Sequence, residues 1–410
     1  MADAYIYRKL INDYWFGKPQ EFTSFDDCYG YLDRKIKSIP DGKSFIFLTD
    51  THNRCGYAGQ TPAIIGYIRS VTNIRKVIMG GDIIDREDSK YKGAEELCKF
   101  IGELVSVAGE DLLPVFGNHD LNTANAPESM VETERIPYTE LEKILFSHLS
   151  DRHCEDIEKR ISYLDCTYNE KAEVLAFSRL HYFKDDADAK LRYIVLETGN
   201  QWEYGRNGCI YKLFGVYNND DLVMQYDWLY EVLMSTPEDY DVVVSGHAMV
   251  GYGGSESIIP GPLGICRILS GFKTCSAVTV ENPVKNGKLS EFYAEGPHTY
   301  DFSSRRRKPG VVVIAGDVHW DVQAKADYDK DGNFISTPYH GEKLAETAVI
   351  VNVVQTDAYS CSHYPKAHTM TPGTVTEHSF DIVTIRPDGS IQLTRIGAGE
   401  DRKVICQSSN

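Results

Sequence analysis

Five times along this chain a short apolar run stops at residues able to bind a metal ion or move a proton. Phe45–Leu48 runs into Thr49-Asp50-Thr51-His52, and Arg75–Met79 into Gly80-Gly81-Asp82-Ile83-Ile84-Asp85-Arg86. Leu112–Phe116 ends in Gly117-Asn118-His119-Asp120, Asp241–Ser245 in Gly246-His247, and Gly310–Ala315 in Gly316-Asp317-Val318-His319. Runs of this length and composition read as buried strands. Polar groups just past the carboxyl ends of strands are where open α/β sheets put their chemistry. One Asp-x-His is weak evidence, since the pair often falls two apart by accident. Five strand ends of the same design restrict the chain to folds that gather strand ends at one rim.

The intervening segments supply the helices. Residues 24–38 read as a helix with Ser24 as a candidate N-cap, and Pro40-Asp41-Gly42 as the turn that follows. Residues 61–72 and 91–108 have apolar positions at helical spacing. Strand, helix, strand, helix, strand is a parallel βαβαβ unit. Residues 121–185 are polar and helix-prone at 138–149 and 151–162, and read as an inserted helical cap. A strand at 192–197, a helix at 221–234 and a Gly-rich rim loop at 248–265 follow. Further strands are expected at 277–280, 347–354 and 380–385, with a return strand at 390–395 after the hairpin signal Pro387-Asp388-Gly389. The expected fold is α/β, a two-sheet sandwich flanked by helices. It is expected to form a single domain over 1–410, with an N-terminal helical extension at 1–43 and the strands of 345–400 in the second sheet.

Composition narrows the function. With 43 Lys and Arg against 60 Asp and Glu, the formal charge of -17 disfavours nucleic-acid backbones and anionic membranes as partners. The ten cysteines are scattered without a Cys-x-x-Cys pair, which suits reduced thiols and a cytoplasmic location. No apolar stretch reaches the roughly 18 residues of a bilayer span.

Carboxylates mixed with imidazoles and no cysteine suit manganese, iron, zinc or magnesium. Two divalent ions about 4 Å apart can share a carboxylate and activate a water. The bridging ligand should be a carboxylate, and Asp82 on the middle strand is the natural candidate.

The ordered series Asp50-x-His52, Gly81-Asp82-x-x-Asp85, Gly117-Asn118-His119-Asp120, His247 and Gly316-Asp317-x-His319 resembles the calcineurin-like metallophosphoesterase superfamily. The tail over 380–399 is similar to a less characterised bacterial and phage branch. The resemblance implies a phosphoric monoester or diester hydrolase with two divalent metal ions, manganese first and iron, zinc, nickel or magnesium as alternatives. It implies that Asp50, His52, Asp82 and His319 hold one ion. Asp82 would bridge to a second held by Asn118 and His247. His119 would assist the leaving oxygen, Asp85 would orient His119, and Arg86 would bind phosphate. The substrate would be a phosphate ester, a small molecule in preference to nucleic acid. Where the family has Gly-His-x-His, this chain has Asp317 in place of the first histidine. Asp317 either ligates the second ion, favouring harder metals, or points elsewhere and leaves that site weak.

Blander readings stand beside these. Each residue alone could be a satisfied polar group at a strand end. Arg86 could be an ordinary loop arginine. Asp120 could pair with His119 or cap the following turn. Arg305-Arg306-Arg307-Lys308 could contact nucleic acid, which would make the protein a nuclease, but reads better as a solvated turn. A non-catalytic binding module on the same fold is the rival of another class.

Overall fold

The computed structural model describes residues 25–52, 61–123, 133–156, 158, 168–198, 225–249, 260–280, 297–338, 368 and 375–404. Helix α1, Phe25–Lys37, has Arg34, Lys35 and Lys37 in its last turn, where positive charge complements the helix dipole. Then come β1 (Lys43–Leu48), α2 (Thr61–Val71), β2 (Val77–Met79), α3 (Lys90–Ala108) and β3 (Leu112–Pro114). Helix α3 starts where the Ser89 side chain accepts from the Lys92 N–H and stops at Gly109, whose φ of 58° a side chain would resist. Strands β1, β2 and β3 pair in parallel, as the βαβαβ reading requires.

Next are α4 (Tyr138–Phe146), β4 (His153–Cys154), α5 (Tyr168–Ser178), β5 (Tyr182–Asp186) and β6 (Leu191–Val195). They are followed by α6 (Gln225–Met234), β7 (Asp241–Ser245), α7 (Pro260–Thr274), β8 (Ala277–Val280), β9 (His298–Asp301) and β10 (Val311–Ile314). The chain closes with β11 (Ala324–Tyr328), β12 (Phe334–Pro338), β13 (Ser379–Ile385), β14 (Ile391–Gly397) and β15 (Arg402–Val404).

Two sheets dominate. The first has the order β15-β14-β13-β1-β2-β3 and the second β10-β7-β6-β5-β4. Their inner faces meet in one core, where the Phe45 ring packs edge-on against Tyr193 at 5.8 Å. Alternation along the second sheet is strict. Tyr193, Val195, Val243, Val312 and Ile314 face the first sheet. Ile194, Val242, Val244, Val311 and Val313 face outward into a second core with residues of α6 and α7. Burial on both faces explains why these strands read as continuous apolar runs.

Several expectations need correction. The C-terminal strands do not build the second sheet. Strand β13 pairs antiparallel with β1, covering the edge that the parallel unit leaves open. The described part of 121–185 is an integral layer and not a separate cap. Leu141, Leu145 and Phe146 of α4 join the main core, and β4 and β5 extend the second sheet. His153–Cys154, inside the expected helix 151–162, is a short strand paired with β5. The expected loop 248–265 gives way at Pro260 to α7, whose Ile265, Ile268, Leu269 and Phe272 are buried against the second sheet. The expected strand 347–354 lies outside the described residues. Hairpin β11–β12 is an element that alternation alone did not reveal.

Across the two sheets the buried Tyr182 hydroxyl donates to the Pro114 carbonyl at 3.0 Å. Tyr182→Phe keeps the ring and leaves that carbonyl short of a partner. It should lower the unfolding free energy by about 1–3 kcal/mol, read as a shift of the denaturant midpoint.

Candidate metal centre

The rim is assembled by backbone hydrogen bonds between strand ends. The Asp50 N–H donates to Gly81 O at 2.9 Å and the His52 N–H to Asp82 O at 3.1 Å. The Gly316 N–H donates to His247 O at 2.8 Å. The Asp317 N–H reaches across the sheets to Asp50 Oδ1 and Oδ2 at 3.0 and 3.1 Å. Small residues permit the approach. A Cβ on Gly117 would run into Asp82, and one on Gly316 into Thr49 and Asp50.

The backbone is strained where the candidate ligands sit. Eight non-glycine residues among those described have positive φ, and five of them are Asp50 (54°), His52 (39°), Asp82 (50°), Asp317 (83°) and His319 (61°). L-residues avoid this region, and strain held by surrounding structure clusters at functional sites.

These turns bring the side chains into three groups of ligand-type atoms, two of which share the Asp82 carboxylate, while the third joins His52 to Asp85 and His119. Asp50, His52, Asp82 and His319 offer ligand-type atoms all within 4.8 Å of one another, and so do Asp82, His247 and Asp317. His52 Nε2 and His319 Nε2 are 3.0 Å apart, and His319 Nε2 is 3.3 Å from Asp50 Oδ1. His247 Nδ1 is 2.7 Å from Gly80 O, which sets Nδ1 as the donor and turns Nε2 toward Asp82 Oδ1 at 3.2 Å and Asp317 Oδ1 at 3.8 Å. Asn118 Oδ1 is buried and accepts no hydrogen bond among the described residues. A buried carbonyl without a donor among the described residues, one position before His119, and imidazole nitrogens converging on carboxylates fit divalent cations.

The protein's own charges favour the same occupants. Burial, with His119 and His319 adding to it, pulls His52 down to about 3, so its lone pair is available at neutral pH. Burial works to raise Asp82, but His247, His119 and His52 overcome it and hold the carboxyl well below the usual range. Burial opposes a proton on His247, yet Asp82, Asp50 and Asp317 raise it well above the ordinary value. The field that attracts a proton to His247 also attracts a cation, and a cation there displaces the proton.

His119 stands beside this centre. Its ring is 4.6 Å from that of His52, its N–H donates to Asp82 Oδ1 at 2.8 Å, and its Nδ1 lies 3.0 Å from Asp85 Oδ1. Burial lowers its pKa, but Asp82 and Asp85 more than offset that and raise it. Asp85 is held well below its ordinary range, burial being outweighed by the hydrogen bond from His119. Arg86 is half-buried, and its N–H donates to Asp85 Oδ1 at 2.8 Å.

All the expected site residues thus lie in the loops that follow strand ends. Two further ones were missed. Asp120 neither pairs with His119 nor caps the next turn. Its Oδ1 accepts from the Ile83 N–H at 2.8 Å and the Ile84 N–H at 3.4 Å, and its Oδ2 from the Gly117 N–H at 2.9 Å. It ties the second strand end to the third; burial and the charge of Asp82 push its pKa up to about 7. Thr49 donates to Asp50 Oδ2 at 2.6 Å. Adjacency to the ligands was the available signal for both.

Arg305 is not solvated. It is buried, donates to Leu233 O and Thr236 O, and lies 4.7 Å over the Phe272 ring. Arg307 pairs with Asp241 at 2.7 Å. These two arginines staple the fold.

A two-sheet α/β sandwich whose strand ends gather two ligand groups around Asp82 defines a candidate divalent-metal centre. A calcineurin-like phosphoesterase family model matches residues 43–263, more than half of the 410, and the chain belongs to that family. It is accordingly a hydrolase of phosphate esters that uses divalent metal ions. The crystal structure of a dimetal phosphatase from Danio rerio is similar over 89% of this chain and 99% of that one, at 13% identity and a TM-score of 0.41. A likeness that distant carries no weight here. No curated protein matches the chain. No helix among the described residues is long and apolar enough to cross a membrane, and Cys98, Cys154, Cys266 and Cys275 are free thiols.

Gly117→Ala forces a methyl against Asp82. It should reduce the metal bound per chain, counted by atomic absorption after gel filtration, with a stability loss of about 1–3 kcal/mol.

Proposed function

We propose that the protein hydrolyses small phosphate esters at a dinuclear centre in which Asp82 is the shared ligand. The observation that carries this reading is that Asp82 belongs to two of the three ligand groups, one completed by Asp50, His52 and His319 and the other by His247 and Asp317, and is the carboxylate those two share. Asn118 adds its carbonyl oxygen to the second. The ions, when bound, would lower the pKa of a shared water and neutralise the oxygens of the phosphoryl group.

The remaining work falls to side chains. His119 carries a proton on Nε2 for the leaving oxygen while Asp85 holds Nδ1 and fixes the ring. Arg86, next along the chain from Asp85, takes up charge on the non-bridging oxygens. Asp317 replaces an imidazole with a carboxylate, which favours harder ions and puts manganese ahead of zinc. A small substrate is favoured because the net charge of -17 opposes a polyanion and Arg305, in the strongest basic run, is buried.

The direct test is hydrolysis of para-nitrophenyl phosphate and its bis ester by protein stripped of metal and reloaded with manganese, zinc, nickel or magnesium. Turnover with manganese supports the reading, and the preferred ester separates monoesterase from diesterase. No turnover of either ester with any metal overturns it. His119→Ala should lower kcat by about 10²–10⁴-fold with metal content unchanged. A raised pKa keeps His119 protonated to higher pH, so removing a raising charge makes it lose the proton sooner. Asp85→Asn should therefore move the alkaline limb of kcat to lower pH; an unmoved limb would deny His119 the acid role. Asp317→Ala should weaken one of two manganese sites in a titration, and unchanged stoichiometry and affinity would remove Asp317 from the ligand set.

A further inference from the structure

We propose that Arg395 and Asp321 form a cross-sheet staple that positions His319 and so sets the affinity of the ion site made by Asp50, His52, Asp82 and His319. This rests on the metal-centre reading above.

Arg395 is the largest fully buried side chain among the described residues, and each of its guanidinium nitrogens is engaged. Nε donates to Asp381 Oδ1 at 2.9 Å. Nη1 donates to Ser379 Oγ at 2.8 Å and Ala398 O at 2.7 Å. Nη2 donates to Asp321 Oδ1 at 2.6 Å and Asp381 Oδ2 at 3.4 Å. Arg402 Nη1 lies 2.6 Å from the same Asp321 oxygen, and His368 Nε2 2.6 Å from Asp321 Oδ2. A buried planar guanidinium held on several sides is a rigid reference point.

The two ends of the staple belong to different sheets. Arg395 sits on β14 directly opposite Asp381 of β13, and Asp381 is in turn opposite Phe47 of β1, the strand that leads to Asp50 and His52. Asp321 lies two residues beyond His319, in the loop after β10 of the second sheet. The first ion site takes Asp50, His52 and Asp82 from the first sheet and His319 from the second. Its geometry depends on how that loop is held against the first sheet. His319 and Asp317 both have left-handed backbone, at φ 61° and 83°, a conformation that relaxes unless its surroundings enforce it. The tether at Asp321 supplies that restraint on the far side of His319. Arg395 touches neither substrate nor ion in this account. It is a positioning residue acting through Asp321.

The sequence hides this role. Arg395 and Asp321 are 74 positions apart, and neither belongs to a strand-end motif. A tether of this kind typically changes metal affinity by about 10–100-fold.

The experiment is calorimetric titration of manganese into the full-length, metal-stripped chain and three variants, with circular dichroism to establish folding. Arg395→Met removes one of the two arginines that bridge Asp321 to Asp381 from the sheet side, Arg402 being the other, and Asp321→Asn weakens the attachment of both from the loop side. Arg305→Met removes another buried arginine, one that packs against Phe272 and α6. The unsubstituted chain should bind two ions. Arg395→Met and Asp321→Asn should each weaken one of them by about 10–100-fold, leave the other unchanged, and regain activity at saturating manganese. Arg305→Met should lower stability and leave both affinities alone. If Arg395→Met does not fold, Asp321→Asn decides. Unchanged affinities in folded Asp321→Asn, beside a two-site parent, overturn the staple alone. So does equal weakening of both sites in all three variants, which would mean general loosening. No ion binding by the parent would sink the metal-centre reading, and the staple with it.

Discussion

Three of the buried carboxylates at the rim of this molecule are candidate metal ligands, and their mutual repulsion is the constraint on which the rest of the site depends. Asp50, Asp82 and Asp317 are each at most 3% exposed. Burying an ionised carboxylate is costly unless positive charge or strong donors compensate it. Part of the compensation is visible. Asp50 accepts the Asp317 N–H and the Thr49 hydroxyl, and Asp82 accepts the His119 N–H. The rest must come from cations. Protons on His247 and His119 serve in the protein's own field, and divalent ions serve far better because each brings two charges to the same few ångströms.

That electrostatic demand explains the backbone. A relaxed strand end would splay successive side chains to opposite faces. Left-handed residues at Asp50, His52, Asp82, Asp317 and His319 turn them onto one centre instead. The strain is tolerated because the surroundings leave no room to relax. Gly117 and Gly316 sit hard against Asp82 and Asp50, and Asp120 pins the Ile83 and Gly117 amides together. Two sheets with a common core hold the halves in register, so the chemistry of the rim is inherited from packing well below it.

The inner framework was legible in the sequence for a physical reason. Strands buried on both faces have no polar positions to blur the pattern, so Phe45–Leu48, Asp241–Ser245 and Gly310–Ala315 stand out and their polar ends with them. Helix α3 shows its periodicity because one face of it is buried, whereas α2 is buried all round from Thr61 to Ile68 and stands out by its apolar content. Legibility ends where pairing is non-local. Nothing in Phe380–Ile385 says that its partner is β1 across more than 300 residues, so the C-terminal strands were assigned to the wrong sheet. The same holds for Asp120 and Arg395, whose partners are set by topology and not by spacing. Arg305 looked solvated because a run of four basic residues normally is; its burial follows from cation–π contact with Phe272 and carbonyls at the end of α6.

The central claim is that Asp82 is shared between two ions. Anomalous diffraction at the manganese edge, from crystals of the full chain grown with manganese, tests it most directly. The account predicts two peaks about 4 Å apart on either side of the Asp82 carboxylate, one beside Asp50, His52 and His319 and the other beside His247, Asn118 and Asp317. A single peak, or two peaks of which one does not touch Asp82, would contradict it.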